Sequence, residues 1–223
     1  MKKYFLLFTC VMILFSSCVT TIPLIKSYYN EESRLGILYV INELGMAKEG
    51  SQGLLDMALT PGAKYKKPLE KIEKSINTSE KVRKLYTDIF TEKGKIIIEL
   101  DDIPIKDYSK FIKPNNTGGK KYHKYDLRKI KDDYEVDELL IIDVNFGILV
   151  SYYGFIELDK NGYCNIKSEL VNLQDNSYLY KNNSLTRNDI DGGWNNPPEY
   201  ESLSKSINES VIECLNIEKN KLL

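Results

Sequence analysis

Apolar residues recur along the chain first at helical spacing and later in strand-like alternation. Leu35 to Ile41 (LGILYVI) is a short continuous apolar run and predicts a buried strand. Gly45 to Gly53 is punctuated by three glycines and reads as a loop, while Leu54 to Leu59 (LLDMAL) fits a strand or a short helix. Pro68 is placed at a helix start, with Leu69, Ile72 and Ile76 at helical spacing through Lys67 to Asn77. Thr78-Ser79 opens a second helix on which Val82, Leu85, Tyr86, Ile89 and Phe90 share a face, and Gly94 ends it. Lys95 to Leu100 (KIIIEL) is rich in β-branched residues and predicts a strand. Pro104, Pro114 and Asn115 to Gly119 mark an exposed connection, followed by a short helix within Tyr125 to Asp133.

Beyond residue 137 the period is that of strands. Glu138 to Phe146 (ELLIIDVNF) is apolar on both faces at its start and predicts a central strand, joined at Gly147 to a second strand over Leu149 to Leu158. Asp159-Lys160-Asn161-Gly162 reads as a hairpin turn, because Asn-Gly tolerates positive φ, and Tyr163 to Leu173 as the returning strand. Gln174 to Ser177 marks the next turn, before a short terminal strand at Ser177 to Tyr180. One face of Tyr163 to Leu173 is polar through most of its length, so a sheet covered on one side only is expected. Asp191 to Pro198 is the densest loop signal, and Glu199 to Asn220 then predicts a long helix with Leu203, Ile207, Val211 or Cys214, and Leu215 on one stripe. The order gives an α/β (α+β) fold in two layers: a mixed or antiparallel sheet, helices mainly on one face, and a long C-terminal helix. The chain's 223 residues accommodate one such globular domain, over 34–223.

The N-terminus follows a different pattern. Lys2-Lys3 precedes a twelve-residue apolar stretch, Tyr4 to Phe15, interrupted by Thr9 and Cys10 and too short for the roughly 20 residues of a membrane-spanning helix. Phe15-Ser16-Ser17-Cys18 follows at once and resembles a bacterial lipobox, with Phe15 where Leu is commonest. The resemblance implies a signal peptide over 1–17, lipidation of Cys18 and a tether over 18–33. Two or three acyl chains would give durable anchoring, since one chain holds only weakly. Val19 stands where enteric bacteria place the Asp that retains lipoproteins at the inner membrane, so in a host with two membranes the outer membrane, facing the periplasm, is favoured.

Charge and composition narrow the chemistry. Lys+Arg 31 against Asp+Glu 32 leaves no broad basic field, which argues against nucleic acid as a partner. Loss of residues 1–17 removes Lys2 and Lys3 but no acid, leaving 29 bases against 32 acids. Beyond Cys18 the mature thiols are Cys164 and Cys214, interior positions that an oxidising compartment could join or leave free. A single His removes most metal sites and triads, and no cofactor motif is present. His123 stands among Lys120, Lys121 and Lys124 and reads as an exposed loop residue. Asp101-Asp102, Asp132-Asp133 and Asp143 are the acids that could serve a hydrolase with His123; Asp143 is expected on the solvated side of its strand, with Ile142 and Val144 inward. Lys120 to Lys124 with Tyr122, and Lys64 to Lys67 with Tyr65, are basic-aromatic clusters able to meet anionic headgroups or glycan strands, although a solvated surface is the default. Tyr152, Tyr153, Tyr178 and Tyr180, with Trp194, suggest a surface that faces a partner, because Tyr combines large contact area with a polar tip; filling a core edge explains the tyrosines equally well.

Asp137 to Val144 (DELLIIDV), then Leu170-Val171-Asn172-Leu173-Gln174-Asp175-Asn176 and Leu179-Tyr180 before a loop with Trp and Pro, resemble a group of envelope lipoproteins. These are similar in turn to the superfamily of the curli-secretion lipoprotein, the penicillin-binding-protein activator lipoprotein and the N-terminal domain of the Tol-system β-propeller protein. By element order the resemblance spans roughly residues 33–215. It implies a non-enzymatic, membrane-tethered domain that contacts another envelope protein or self-associates. The alternative is an envelope hydrolase using Asp/Glu carboxylates with His123.

Overall fold

A computed structural model of the chain describes residues 21–52 and 62–223, so the apolar N-terminal run, Cys18 and the Leu54 to Leu59 segment lie outside the described residues. The fold is α+β with an open mixed sheet. Its elements are β1 (Arg34–Ile41), β2 (Gly45–Ser51), α1 (Ala63–Ile76), α2 (Thr78–Glu92), β3 (Ile96–Leu100), the short α3 (Lys129–Asp133), β4 (Glu138–Tyr153), β5 (Ile156–Asn172), β6 (Tyr178–Asp189) and α4 (Glu201–Leu222). The strands run in the order β3-β1-β4-β5-β6, and β2 also pairs with β4. β1 lies parallel to β3 and β4, β2 lies parallel to β4, and β4-β5-β6 is an antiparallel meander.

The long central strand β4 organises the rest. Its even-numbered side chains from Leu140 to Tyr152 enter the main core with Ile37 of β1, Ile166 of β5, Tyr65 and Ile72 of α1, Val82 and Phe90 of α2, and Leu203, Ile207 and Val211 of α4. Each fully buried side chain of this kind contributes about 1.5–3 kcal/mol. The opposite face of the sheet is also partly covered. The connection after β3 folds back and packs Ile103, Leu127, Ile130 and Val136 against Leu38, Leu139 and Val171, a second apolar cluster. The polar alternation of β5 therefore marks the uncovered middle of that face rather than a wholly bare side.

Several sequence expectations are corrected. Gly147 is no junction: β4 runs through it with φ +145, and a Cβ there would lie 1.8 Å from the Gly45 carbonyl oxygen. That close approach occurs where β4 passes from pairing with β1 to pairing with β2, so the glycine-marked stretch after Gly45 is itself a strand. Asp159 to Gly162 lies inside β5, and the chain reverses instead at Gly154-Phe155. Gly162 serves another purpose: a Cβ there would lie 2.5 Å from the Ile207 nitrogen, so its bareness admits α4 onto the strand. There the Gly162 N–H donates to Ser206 Oγ at 2.9 Å and its carbonyl accepts from Ser210 Oγ at 2.9 Å.

β6 extends well past Tyr180 because its inward residues, although polar, find partners on α4. Asn182 Nδ2 donates to Glu218 at 2.6 Å and Thr186 Oγ1 to the Ser210 carbonyl at 2.7 Å. Pro68 sits inside α1 rather than at its start, since Tyr65 already belongs to the buried stripe of Leu69 and Ile72. Cys164 and Cys214 are both buried and free.

The segment expected as a tether is docked from residue 22 onward. Ile22 and Lys181 exchange backbone hydrogen bonds of 2.8 and 2.9 Å. A 3-10 turn at Lys26–Asn30 then places Tyr28 in the core, its hydroxyl donating to Glu138 at 2.6 Å. Buried Lys95 completes the seal, donating to the Tyr28 carbonyl at 3.2 Å and to Ser33 Oγ at 2.8 Å.

Candidate functional site

Three features of the surface bear on function. The first is a basic cleft of about 530 Å³ between residues 110–124 and the start of β6, to which Lys110, Lys113, Lys120, Lys121, Lys124 and Lys181 contribute and which no described carboxylate lines. Backbone pairing holds the lysines in place. Phe111 N–H donates to the Lys124 carbonyl at 2.9 Å, and Tyr178 N–H donates to the Lys121 carbonyl at 2.8 Å. Asn176 fastens the assembly. Held at φ 65 in the β5–β6 turn and fully buried, it accepts from the Leu127 N–H at 2.9 Å and donates to the His123 and Tyr125 carbonyls at 3.2 and 3.0 Å. Lys120 pairs with Asp175 at 2.7 Å and Lys181 with Glu169 at 2.5 Å. Lys110, Lys113, Lys121 and Lys124 form no ion pair among the described residues. The rings of Phe111 and Tyr122 stack 5.3 Å apart between them.

The second is a cleft of about 570 Å³ on the uncovered middle of the sheet, where His123, Asp143 and Glu169 meet. Asp143 faces this solvated side while Ile142 and Val144 point into the main core, as the alternation of β4 predicts. Its Oδ1 accepts from Asn42 Nδ2 at 3.1 Å and Asn145 Nδ2 at 3.0 Å. His123 departs from expectation: it is 6% exposed, packed against Tyr125 and Tyr178 with ring centroids 5.9 and 5.8 Å away. The Tyr125 N–H donates to its Nδ1 at 3.1 Å, and Nε2 lies 3.6 Å from Glu169. Burial holds the imidazole below its usual range, outweighing the upward pull of the Tyr125 carbonyl, 3.0 Å from Nδ1, and of the Glu169 carboxylate. Asp101, by contrast, is an exposed residue just after β3 and does not line this cleft.

The third is the β4–β5 hairpin tip, where Tyr153, Phe155, Ile156 and Leu158 are 70%, 65%, 52% and 65% exposed. Behind it Glu157 ties the hairpin to α1, its carboxylate 2.6 Å from Lys64 Nζ and accepting from Tyr152 Oη at 3.1 Å.

The five aromatic residues read from the sequence as one surface are not gathered into one. Tyr152 and Tyr180 are buried in the main core, and Tyr153 points outward from the tip. Tyr178 lines the basic cleft, and Trp194 packs on Tyr65 with centroids 4.7 Å apart. The basic run at 120–124 was legible in the sequence. Lys110 and Lys113 were not, because only the backbone pairing between 110–111 and 124–125 brings them alongside. Among the described residues no helix is long and apolar enough to cross a membrane, and no cluster of His, Cys, Asp and Glu could hold a metal ion.

No family model matches the sequence, and neither does any curated protein. Among solved structures the chain is similar to a hypothetical protein from Chlamydia trachomatis, with 8% identity, 84% of this chain and 97% of that one covered, and a TM-score of 0.35. A homologue of neuraminyllactose-binding hemagglutinin from Helicobacter pylori shares 11% identity over 86% of this chain and 83% of its own, at a TM-score of 0.32. A lipoprotein from Neisseria meningitidis shares 15% identity over 82% and 98%, also at 0.32. Likeness at this level assigns no activity or ligand to the chain.

Proposed function

We propose that the chain is a lipoprotein anchored in the bacterial cell envelope through Cys18, whose globular domain is a non-enzymatic accessory factor that binds another envelope protein. The observation that carries this is the N-terminal order of Lys2-Lys3, the apolar run Tyr4 to Phe15, and Ser16-Ser17-Cys18. Val19 after the lipidated residue favours the periplasmic face of the outer membrane in a host with two membranes. The apolar hairpin tip supports a binding role, since adjoining exposed apolar side chains of this kind mark contact surfaces. The partner surface is then Tyr153, Phe155, Ile156 and Leu158, with a protein as its ligand.

Cys18→Ser is expected to move the protein from the membrane to the soluble fraction and to abolish palmitate incorporation; retention in the membrane without label would refute the anchor. For the tip, a photo-crosslinking residue at Phe155 should give a discrete adduct in cells that one at exposed Lys205 does not. Adduct formation should disappear with Tyr153→Asp.

A second reading, an envelope hydrolase, is favoured by one observation: His123, Asp143 and Glu169 line the same cleft. Under that reading His123→Gln with Asp143→Asn abolishes the cellular phenotype. Under the binding reading the same pair leaves it intact.

A further inference from the structure

We infer that the basic cleft binds the anionic phosphate headgroups of the bilayer in which the chain is anchored, holding one end of the domain against the membrane. The inference deepens the lipid-anchored reading and rests on it for the identity of the surface. Four lysines, Lys110, Lys113, Lys121 and Lys124, converge there without acidic partners among the described residues, in a chain whose total charge is only −1. Like charges gathered on a backbone scaffold repel one another, and an anion between them relieves that repulsion. Ile112, between two lining residues, is 90% exposed, an apolar side chain set among cations. Free phosphate or a soluble polymer would leave Ile112 in water, whereas a membrane interface accepts both the cations and the apolar side chain.

The path of the chain points the same way. Ile22 lines the cleft and is bonded through its backbone to Lys181, which lines it too. Ile22 is four chain steps from Cys18, a reach of at most about 14 Å. An acyl group on Cys18 therefore keeps the cleft within reach of the headgroup layer. Each basic side chain near an anionic surface strengthens association by about fivefold, and the effect decays over roughly 10 Å at ordinary salt. Four lysines so placed would select anionic over zwitterionic lipid by about a hundredfold or more.

The test uses the full chain produced in a bacterial host, purified from membranes and reconstituted into vesicles of phosphatidylcholine alone or with phosphatidylglycerol. Lysine acetylation is then read by mass spectrometry. Labelling of Lys110, Lys113, Lys121 and Lys124 is expected to fall at least fivefold in the anionic vesicles and to recover in high salt, while Lys205 on α4 is labelled equally in both. Equal labelling of the four lysines in both vesicles overturns the inference. So does full protection in phosphatidylcholine vesicles by soluble glycerol phosphate, which would assign the cleft to a free phosphate.

A dye on Ile112→Cys gives a second measurement. Its emission should shift to the blue only with phosphatidylglycerol, and the shift should vanish when the four lysines become Gln at an unchanged urea midpoint. A shift that survives those substitutions overturns the inference. Flotation with phosphatidylcholine vesicles scores the anchor separately: a chain that does not float has no working anchor, whereas one that floats without selective protection has an anchor and no headgroup site.

Discussion

Glu218 shows how much one buried polar group can hold together. On the inward side of α4, it is fully buried and accepts from Tyr86 Oη and Ser168 Oγ at 2.8 Å, Asn182 Nδ2 at 2.6 Å and Ser184 Oγ at 2.5 Å. A buried carboxyl with four donors is stable only while all four remain, and its removal orphans every one of them. Glu218→Ala is expected to lower stability by about 3 kcal/mol or more, and Glu218→Gln, which keeps one acceptor oxygen, by less, read from urea denaturation midpoints. Glu157 gives a pH signature instead. Burial pushes its carboxyl up, but Lys64, Lys160 and Tyr152 outweigh that and hold it at about 2, against 4.5 when free. A carboxyl depressed by folding stabilises the protein above its free pKa and loses that contribution as pH falls towards the folded one. Stability should therefore decline between pH 4.5 and 2, and Glu157→Gln should flatten that part of the profile. At this scale the sequence speaks ambiguously. Asn161-Gly162 carries the chemistry of a turn, yet its glycine is spent on admitting α4, a requirement that exists only once the helix is packed.

Among the elements, those built on apolar periodicity were legible: β1, α2, β3, the first half of β4 and α4 all lie close to where their spacing puts them. β2 was not. Its residues Gly45-Met46-Ala47-Lys48-Glu49-Gly50-Ser51 are at best half-buried, and it is a strand because β4 presents a free ladder edge beyond Phe146. β6 was hidden for the opposite reason, since the polar side chains it turns inward look like a solvated loop until α4 supplies their partners. The basic cleft divides the same way, with one half a contiguous run and the other brought in by pairing across the connection. The seam between β1 and β2 makes a sharp demand on one residue. Gly147→Ala would drive a methyl into the Gly45 carbonyl and force positive φ on a residue with a side chain, at an expected cost of about 2 kcal/mol or more. Denaturation of the variant, with hydrogen exchange to show β2 loosening before the rest of the sheet, would measure it.

For the molecule as a whole, the sheet separates two ends. β4 runs 16 residues, about 50 Å, from Glu138, where the N-terminal segment docks, to the apolar hairpin tip. The basic cleft belongs to the first end, beside Ile22 and the β5–β6 turn. With the anchor proposed for Cys18, a fluorophore at Leu223 should transfer energy efficiently to a dye in the bilayer and one at Phe155 only weakly, the comparison that checks this polarity. The chain closes on itself at this first end, for Tyr29 Oη donates to the Leu222 carbonyl at 2.6 Å, in the last turn of α4. The docked segment at Lys26–Asn30 thus completes its seating only when the last turn of α4 is in place. Under the anchor proposed for Cys18, unravelling that last turn would free Tyr29 and carry the domain on a longer, looser leash.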